Sequence, residues 1–345
     1  MMRARLIINP VSGDDEPNTG KVSAIQSWLA RGPFLAEVAY TAPDRTAGQL
    51  AREAVELGME IVLVGGGDGT VSEAARELVH TPATLGILPI GTFNNIARSV
   101  GIPHDLPAAC GIITQGHHRE IDVGLANNSR FFFEAAGAGL DATLFPIGEE
   151  IKGGRWTRVL QAARLTLQYG AQPFEITFDR SVEEALPSER KRRRKDRALR
   201  LHQLRRRALL VVVANGPYYG GGYTVAPDAR LSDGRLTLSV YRRFSKWELI
   251  RHFQSISRGR YNYHPKIETY FATELTVASP TQIPVHVDGQ PFGHTPISLR
   301  AVPGALRVFA PERAVQVGDD DPPVALPAPA DASKKTEKEE TKTDA

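Results

Sequence analysis

A short apolar run that ends in a cluster of glycines constrains the fold of this chain more than any other stretch. Residues 61–64 predict a buried strand, and the sequence Gly65-Gly-Gly-Asp-Gly69 follows it. A helix should come next, because apolar residues then recur on one helical face, at Val71, Ala74, Ala75, Leu78 and Val79. Thr70 and Glu73 form a capping-box pattern at its start. A glycine turn before a helix N-terminus is a recurring phosphate site, although many such turns merely connect α/β units.

A second glycine turn follows the next apolar segment of the chain. Residues 85–90 predict another strand, and Gly91-Thr-Phe-Asn-Asn95 comes directly after it. Thr92 is suited to cap the helix that should follow. In an open parallel sheet the ligand crevice lies at the carboxyl ends of the strands, where both turns would meet. Two such turns in adjacent units favour an anion-binding crevice over a plain connection.

The first third of the chain has the alternating pattern of an α/β domain. Strand signals at 6–8 and 34–40 alternate with helix signals at 21–30 and 47–57. This order predicts a parallel sheet covered by helices over residues 1–122. The turn Asn9-Pro-Val-Ser-Gly13 follows the first strand and should reach the same edge of the sheet as the two glycine turns.

The pattern changes after this domain to many short strands with Gly, Asn and Pro turns. It predicts a mostly antiparallel β domain over residues 123–302, interrupted by helices at 156–169 and 246–257. The predicted strands, which begin at the boundary, cover residues 121–125, 130–134, 173–179, 207–215, 234–241, 274–278, 284–288 and 306–310.

Cysteine content and apolar runs indicate where such a protein works. The single cysteine, Cys110, excludes an internal disulfide and fits a reducing compartment. The first ten residues hold too few apolar side chains for a signal peptide, and the longest apolar run, 208–214, is too short for a membrane span. We therefore expect a soluble cytoplasmic protein, at most peripheral to a membrane.

Two charged segments stand apart from the two domains. Residues 188–207 hold eleven Lys or Arg and two acidic residues, a local charge of +9, and predict an enlarged hairpin loop between two strands. Docking on anionic lipid head groups is the favoured interpretation of this basic segment. A plain charged loop and nucleic-acid binding are the alternatives, although no aromatic residue interleaves the run. Residues 318–345 read as a disordered tail rich in Pro, Ala, Lys, Glu and Thr.

Six motifs occur in an order and at spacings that resemble the diacylglycerol kinase catalytic-domain family, which includes YegS-like bacterial lipid kinases and the sphingosine and ceramide kinases. The motifs are Asn9-Pro-Val-Ser-Gly13, Gly66-Gly-Asp-Gly-Thr70, Pro89-Ile-Gly-Thr-Phe-Asn-Asn95, Gly137-Ala-Gly-Leu-Asp-Ala142, Ala226-Pro-Asp-Ala-Arg-Leu-Ser-Asp-Gly234 and Val287-Asp-Gly-Gln290. The resemblance covers roughly residues 3–311. It implies a Rossmann-like nucleotide domain, then a β-sandwich, with ligands in the cleft between them. It also implies that residues 303–317 return to the first domain.

The resemblance implies that ATP binds to the first domain. The phosphate-facing turn would consist of Gly66, Gly67, Asp68, Gly69 and Thr70, and the second wall of Gly91, Thr92 and Asn94. Weaker correspondences are Asn9, Ser12 and Thr41. Asp68 would face the metal or a polar group of the nucleotide; the alternative is that it fixes its own turn by bonding its own backbone.

Asp288 is the residue that we expect to act as general base. In the family, an Asp-Gly-Glu element carries the base that removes the proton from the lipid hydroxyl, and here it reads Asp288-Gly289-Gln290. On sequence alone an Asp-Gly hairpin turn is the simpler interpretation, and only the motif context favours a base. Gln290 stands where the family usually has Glu, which removes a charge beside the base.

Magnesium and the acceptor lipid have their own expected residues. The metal-associated element of the family matches Asp233-Gly234, where the carboxylate of Asp233 and a nearby carbonyl, that of Arg235, would bind Mg²⁺. A plain turn is the alternative. Asp141 would bond the head group of the acceptor lipid.

The combined prediction is an ATP- and Mg²⁺-dependent lipid kinase that phosphorylates a hydroxyl of diacylglycerol or a related lipid at an anionic membrane surface. An NAD kinase, which shares the Gly-Gly-Asp-Gly-Thr turn, is the second enzyme alternative. A catalytically weak protein that binds nucleotide or lipid stays open, as does a nucleic-acid-associated regulator. The resemblance also implies a homodimer, although no interface pattern is readable in the sequence.

Overall fold

The computed structural model describes residues 2–12, 19–152, 157–185 and 201–312, except for 243, 246, 249–250, 253–254, 256–263 and 265. Within these ranges the chain forms seventeen strands and seven helices. Fifteen of the strands belong to one continuous sheet.

The first part of the chain is a parallel sheet with helices on both faces, as the sequence predicts. Its strands are β1 Met2–Ile8, β2 Phe34–Tyr40, β3 Ile61–Gly66 and β4 Thr84–Pro89, in the order β2-β1-β3-β4. Its helices are α1 Thr19–Leu29, α2 Ala47–Glu56, α3 Asp68–Leu78, α4 Asn95–Val100 and α5 Leu106–Gln115.

Successive residues of these strands face opposite sides of the sheet, so each face has its own core. Ile7 and Val62 pack with α2 and α3 on one face. Leu6, Ile8 and Leu63 pack with α1 and α5 on the other. Because both faces are covered at the centre of the sheet, the strands β3 and β4 are buried throughout and read as nearly uninterrupted apolar runs.

The second part of the chain is built mainly from antiparallel strands around a separate apolar core. Phe174, Val213, Leu238, Leu275 and Val285 are among the fully buried residues of this core. The strands are β5 His118–Ala126, β6 Arg130–Phe132, β7 Ala135–Gly139, β8 Gln172–Ala185, β9 Leu201–Ala214, β10 Tyr218–Tyr219, β11 Tyr223–Thr224, β12 Leu236–Arg242, β13 Ile267–Ala272, β14 Glu274–Ala278, β15 Pro284–Val287 and β16 Gln290–His294.

Two helices, α6 Leu140–Lys152 and α7 Arg158–Gln168, pack against each other beside this second part. None of the helices in the described part of the chain combines the length and apolarity needed to cross a bilayer. The sequence did not predict α5 or α6. Each contains proline and glycine, residues that normally signal turns; in α5 the proline lies at the helix start, where it is tolerated.

The last described strand, β17 Ile297–Phe309, runs through both parts of the molecule. Its first half pairs with β14 and contributes Leu299 to the antiparallel core. Its second half pairs with β5 and, in parallel, with β4, where Val308 lies opposite Leu85. Val308 and Phe309 are buried in the two cores of the first part. The boundary expected between residues 302 and 303 therefore falls inside one strand.

The prediction that residues 188–207 form a loop is wrong for residues 201–207. These residues begin β9, and Arg206 pairs with Phe174 of β8. The reason is an alternation that the run of charges hides: Leu204 is buried in the antiparallel core, while Arg205 and Arg206 form ion pairs with Glu175 and Glu268. The rest of the basic segment and the predicted tail from residue 318 onward lie outside the described residues, as does most of the predicted helix 246–257.

Removing the Phe309 ring should destabilise the protein, although this residue lies far along the chain from the sheet it supports. We expect Phe309→Ala to lower the free energy of unfolding by about 3–5 kcal/mol, because it empties a buried aromatic site. Urea unfolding followed by circular dichroism measures this change. Leu35→Ala, at a side chain that is 69% exposed, is the control and should leave the unfolding midpoint nearly unchanged. Equal midpoints for the two variants would contradict the packing role of β17.

Candidate active site

The two glycine turns of the first part lie against each other at the carboxyl ends of β3 and β4. A Cβ atom on Gly91 would lie 2.4 Å from the Cα of Gly67, a distance that no side chain tolerates. A Cβ on Gly69 would meet no atom within 4 Å, so the backbone there borders open space. Glycine is thus required where the turns meet, and the open side leaves room for a ligand to approach the backbone.

Helix α3 begins two residues before the predicted cap. Its N-cap is Gly67, which has no side chain to bond the first N–H groups, and Asp68 is its first residue. The predicted capping box of Thr70 and Glu73 is therefore wrong. The Thr70 hydroxyl instead accepts a hydrogen bond of 3.0 Å from Asn9 Nδ2, which joins the first motif to the glycine turn. The first turn of α3 keeps N–H groups without a side-chain cap, as an anion site requires.

The second turn is organised by Asn94 and Asp68, and the prediction that Thr92 caps the next helix is wrong. Helix α4 begins at Asn95, after Asn94 in a left-handed conformation with φ of 50°. The Asn94 side chain accepts a hydrogen bond from Gly91 N at 3.0 Å and donates one to Gly91 O at 2.6 Å. Its amide is therefore used within the turn.

The carboxylate of Asp68 connects the two turns. Its Oδ1 accepts a hydrogen bond of 3.0 Å from Ile96 N in the first turn of α4. The sequence left two roles open for Asp68, facing a ligand or bonding its own turn. The structure shows a third role, in which Asp68 caps the neighbouring helix α4. Burial raises the pKa of Asp68, and the negative charge of Asp288 raises it further. The carboxylates of Asp68 and Asp288 are therefore close enough to interact electrostatically.

Three weaker candidates lie at the same edge of the sheet. The backbone N–H of Thr41, just after β2, donates to Ile8 O at 2.9 Å. Asn9 follows β1, and its carbonyl accepts from Ser12 N at 3.3 Å. The structure therefore brings Asn9, Ser12 and Thr41 to the edge where the glycine turns lie. Their contact with a nucleotide stays a prediction.

Asp288 lies in a hairpin turn and in the cleft at once. The φ angles of Asp288 and Gly289 are 47° and 73°, and Val287 pairs with Gln290, which defines a two-residue hairpin between β15 and β16. The side chain is only 4% exposed. Its carboxylate accepts hydrogen bonds from Glu134 N at 2.9 Å and from Ser72 Oγ at 3.1 Å. The simpler turn interpretation and the placement required of a base are therefore compatible.

Helix α3 brings the glycine turn and Asp288 together. It starts at the turn with Asp68 and reaches Asp288 through Ser72, one helical turn further on. One cleft therefore contains both the residues expected to hold phosphate and the residue expected to take a proton. In the chain, Asp68 and Asp288 are 220 positions apart.

Glu134 is a buried carboxyl in this cleft that the sequence analysis missed. Its Oε2 accepts hydrogen bonds from Asn95 Nδ2 at 2.9 Å and from Gly220 N at 3.3 Å. Burial raises the pKa of Glu134 well above its usual value, and the charges of Asp68 and Asp288 add to that increase. The signal in the sequence was an acidic residue placed directly after three phenylalanines, where a solvated face is not expected.

Asp141 belongs to a second polar cluster, on the side of the cleft formed by the antiparallel domain. His286 Nε2 lies 3.1 Å from Asp141 Oδ2, and the Tyr219 hydroxyl bonds the same nitrogen. The Phe145 ring packs against His286, with 4.7 Å between ring centroids. Burial raises the pKa of Tyr219 well above its usual value, and Asp141 raises it further. Because His286 lies on β15, two residues before Asp288 in the turn that follows, this cluster borders the candidate base.

The expected magnesium element has one exposed carboxylate. Asp233 Oδ1 accepts from Arg235 N at 3.1 Å, and partial burial raises the pKa of Asp233. The neighbouring Asp122 is buried, and its two oxygens already accept from Gly234 N at 2.7 Å and Gly304 N at 2.9 Å. Within the described ranges, no three His, Cys, Asp or Glu side chains are grouped to hold a metal ion. Mg²⁺ binding by Asp233 and Arg235 stays a prediction.

Replacing Glu134 with glutamine should make the protein less sensitive to alkaline pH. Because the pKa of Glu134 is higher in the folded than in the unfolded chain, its contribution is full below the unfolded pKa and is lost as pH rises through the folded pKa. We expect Glu134→Gln to match the wild type near pH 4.5 and to be the more stable of the two at pH 8 in urea unfolding. Glu274→Gln, at an exposed position, should show no such pH-dependent difference. A constant difference between wild type and Glu134→Gln at both pH values would contradict this.

Comparison with known proteins agrees with this geometry over most of the chain. Residues 3–126 match the diacylglycerol kinase catalytic domain, and residues 138–310 match the YegS C-terminal NAD kinase beta sandwich-like domain. A diacylglycerol kinase of Staphylococcus aureus strain bovine RF122 / ET3-1 is 26% identical over 313 residues, which are 90% of this chain and 92% of that protein. The diacylglycerol kinase of Staphylococcus aureus strain MRSA252 is equally similar, with the same coverage.

Solved structures show the same fold. The crystal structure of a putative diacylglycerol kinase from Bacillus anthracis strain Sterne has a TM-score of 0.70 at 24% identity, covering 91% of this chain and 98% of that one. A second crystal structure of a diacylglycerol kinase from this strain gives a TM-score of 0.67 at 21% identity, with the same coverage. The two matching domains together span most of the sequence. This chain therefore belongs to the diacylglycerol kinase catalytic-domain family, a family of lipid kinases.

Proposed function

We propose that this protein transfers the terminal phosphate of ATP, with Mg²⁺, to a hydroxyl of diacylglycerol or a related lipid at a membrane surface. The observation that carries the proposal is the hydrogen bond between Ser72 and Asp288. It joins a carboxylate to the helix whose N-terminus forms the glycine turn. Phosphoryl transfer depends mainly on positioning and charge stabilisation, and this arrangement holds a phosphate cradle and a proton acceptor at a fixed separation.

The donor side of the proposed reaction is the first turn of α3. Gly67 provides no side-chain cap, and the backbone of Gly69 borders open space. Both features favour a phosphate group against the free N–H groups at the helix N-terminus. The start of α4 is less available, because Asp68 already accepts from its first turn. The triphosphate is thus expected to lie on α3, with Gly91 as a close wall.

The acceptor side is the surface of the antiparallel domain between Asp141 and Asp288. Asp141 is held by His286, and its side chain is 10% exposed. A carboxylate that accepts hydrogen bonds can orient the acceptor hydroxyl, which is the single free hydroxyl of diacylglycerol. In the proposed step Asp288 takes the proton of the attacking hydroxyl while that oxygen bonds the transferred phosphorus and the bond to the nucleoside diphosphate breaks.

Magnesium is expected to enter as the complex with the triphosphate. Mg²⁺ usually keeps several waters and binds through substrate phosphates and one or two carboxylates, so it does not need an all-protein cage. This agrees with the absence of a three-ligand group among the described residues. The ion would supply charge neutralisation at the transferred phosphate. Besides the triphosphate, the exposed carboxylate of Asp233 is expected to offer Mg²⁺ an oxygen ligand.

Helix α7 supports the membrane-surface part of the proposal. Its side chains Leu160 and Leu167 are 79% and 62% exposed and, seven positions apart, lie on one helical face. Arg164 lies between them and is also exposed. Apolar side chains with an interleaved arginine are typical of a face that rests on anionic lipid. Because α7 packs on α6, which carries Asp141, docking of this face would bring the acceptor side close to lipid.

The central test is kinase activity with and without the candidate base. We expect purified protein with labelled ATP and Mg²⁺ to phosphorylate diacylglycerol in vesicles, and Asp288→Asn to lower kcat at least about 100-fold. Asparagine tolerates the left-handed backbone at this position, so the fold should persist. Stabilisation of Asp288→Asn by ATP in a thermal-shift assay is the control for an intact donor site.

Several acceptors separate the enzyme alternatives in the same assay. Vesicles that contain diacylglycerol, monoacylglycerol, sphingosine, ceramide or phosphatidylglycerol are compared with NAD in solution. Phosphorylation of NAD and of none of the lipids would overturn the proposal, as would full activity of Asp288→Asn. Omission of Mg²⁺ should abolish transfer.

Removing the exposed leucines of α7 should weaken vesicle binding without loss of the fold. We expect the double variant Leu160→Ser/Leu167→Ser to lower the vesicle partition coefficient, measured by co-sedimentation with phosphatidylglycerol vesicles, at least about tenfold, because insertion of two leucine side chains into the membrane contributes roughly 2–3 kcal/mol or more. Leu35→Ser/Leu57→Ser, at two exposed leucines of the first part, is the matched control. Equal binding by both double variants would remove α7 from the proposed membrane face.

A further inference from the structure

The hydrogen bonds of Asp288 distinguish its two carboxylate oxygens. Oδ2 accepts from Ser72 Oγ at 3.1 Å, from Phe133 N at 3.1 Å and from Arg76 Nη2 at 3.3 Å. Oδ1 accepts from Glu134 N at 2.9 Å and makes only a longer contact of 3.3 Å to Phe133 N. A carboxylate oxygen has two lone pairs. Oδ2 is therefore saturated, while Oδ1 has one short bond and retains capacity for another donor.

Arg76 and Ser72 form a chain of donors that ends at Oδ2. Arg76 Nη2 donates to Ser72 Oγ at 2.7 Å, and the Ser72 hydroxyl donates onward to Asp288. The two residues are four apart on α3, so they lie on the same face of the helix. Consecutive donors polarise one another, and a guanidinium at the start strengthens the bond at the end.

The other end of Arg76 closes a ring of contacts around the carboxylate. Arg76 Nε donates to Phe131 O at 3.0 Å, on the strand that leads into the two N–H groups that bind Asp288. The Arg76 side chain is 19% exposed, and burial lowers its pKa. Partial burial of a guanidinium is costly unless it is paired, and here its hydrogen-bond partners Phe131 O, Ser72 Oγ and Asp288 Oδ2 all belong to the structure around the carboxylate. These contacts fix the position of Arg76 relative to the Asp288 carboxylate.

We propose that Arg76 and Ser72 are positioning residues that anchor Oδ2 of Asp288, so that Oδ1 takes the proton of the acceptor hydroxyl. The proposal rests on the proposed kinase function and adds the residues that set the geometry of its base. Because Ser72 and Arg76 belong to the helix that starts at the phosphate turn, the separation between donor phosphate and proton acceptor is fixed by α3 itself. A displacement of about 1 Å at such a site costs roughly 100-fold in rate.

Removal of either positioning side chain tests this directly. We expect Arg76→Met and Ser72→Ala each to lower kcat about 10- to 100-fold, with KM for ATP and for lipid within about twofold of the wild type. Arg76→Lys keeps the charge but loses the forked guanidinium, so its kcat should lie between those of the wild type and Arg76→Met. Ser72→Thr keeps the hydroxyl and should retain most of the wild-type kcat. Arg52→Met is the matched control, because Arg52 of α2 forms an ion pair with Glu77 of α3 and has no bond to Asp288.

A double-mutant comparison separates positioning from a structural role. In the Asp288→Asn background, Arg76→Met should change the residual rate by no more than about twofold, since the positioned group is absent. Thermal unfolding of every variant is recorded, and Ser72→Ala, which removes one buried hydroxyl, decides the matter if Arg76→Met does not fold.

The outcomes distinguish this inference from the proposed function. If the wild type phosphorylates lipid, Asp288→Asn does not, and both Arg76→Met and Ser72→Ala keep kcat within threefold of the wild type, the positioning role is overturned and the kinase proposal stands. An equal loss from Arg76→Met in the wild-type and Asp288→Asn backgrounds also overturns it. If the wild type transfers phosphate to no lipid, both fall.

Discussion

The site depends on one buried carboxylate that is bonded from two directions. Asp288 comes from a hairpin near the end of the sheet, and it is held by a helix of the first part and by backbone N–H groups of the second. A charge with 4% exposure requires compensation, and the guanidinium of Arg76 together with three further donors, Ser72 Oγ and the N–H groups of residues 133 and 134, provides it. The same bonds that allow this charge to be buried also place it beside the phosphate turn. Burial and placement are thus one property of the structure.

A second constraint is the continuity of the sheet. Strand β17 contributes Leu299 to the antiparallel core and Val308 to a core of the parallel part, so the two domains share a strand. Hydrogen bonds from Ser72 and Arg76 of α3 to Asp288 also join the two parts across the cleft. Preorganised sites of this kind reduce the ordering needed during binding.

Much of the fold was predictable because its strongest signals are local. Buried parallel strands read as unbroken apolar runs, and the glycine turns followed them directly. The capping roles of Thr70 and Thr92 were wrong because Asn9 and Asp68, distant in sequence, take over the polar groups at those helix starts. Glu134, Arg76 and His286 were missed for the same reason. A buried polar residue shows its role only through partners that the linear pattern does not contain.

The shared strand also governs the order in which the molecule can become complete. Val308 lies beside Leu85, more than two hundred positions earlier in the chain. A ribosome delivers the parallel half first, and that half lacks its last strand until almost the whole polypeptide has emerged. Until then the edge of β4 has exposed backbone groups and the cores around Phe309 remain open to solvent. We therefore expect nascent chains of this protein to expose this strand edge for most of their synthesis, and folding to end with the insertion of β17.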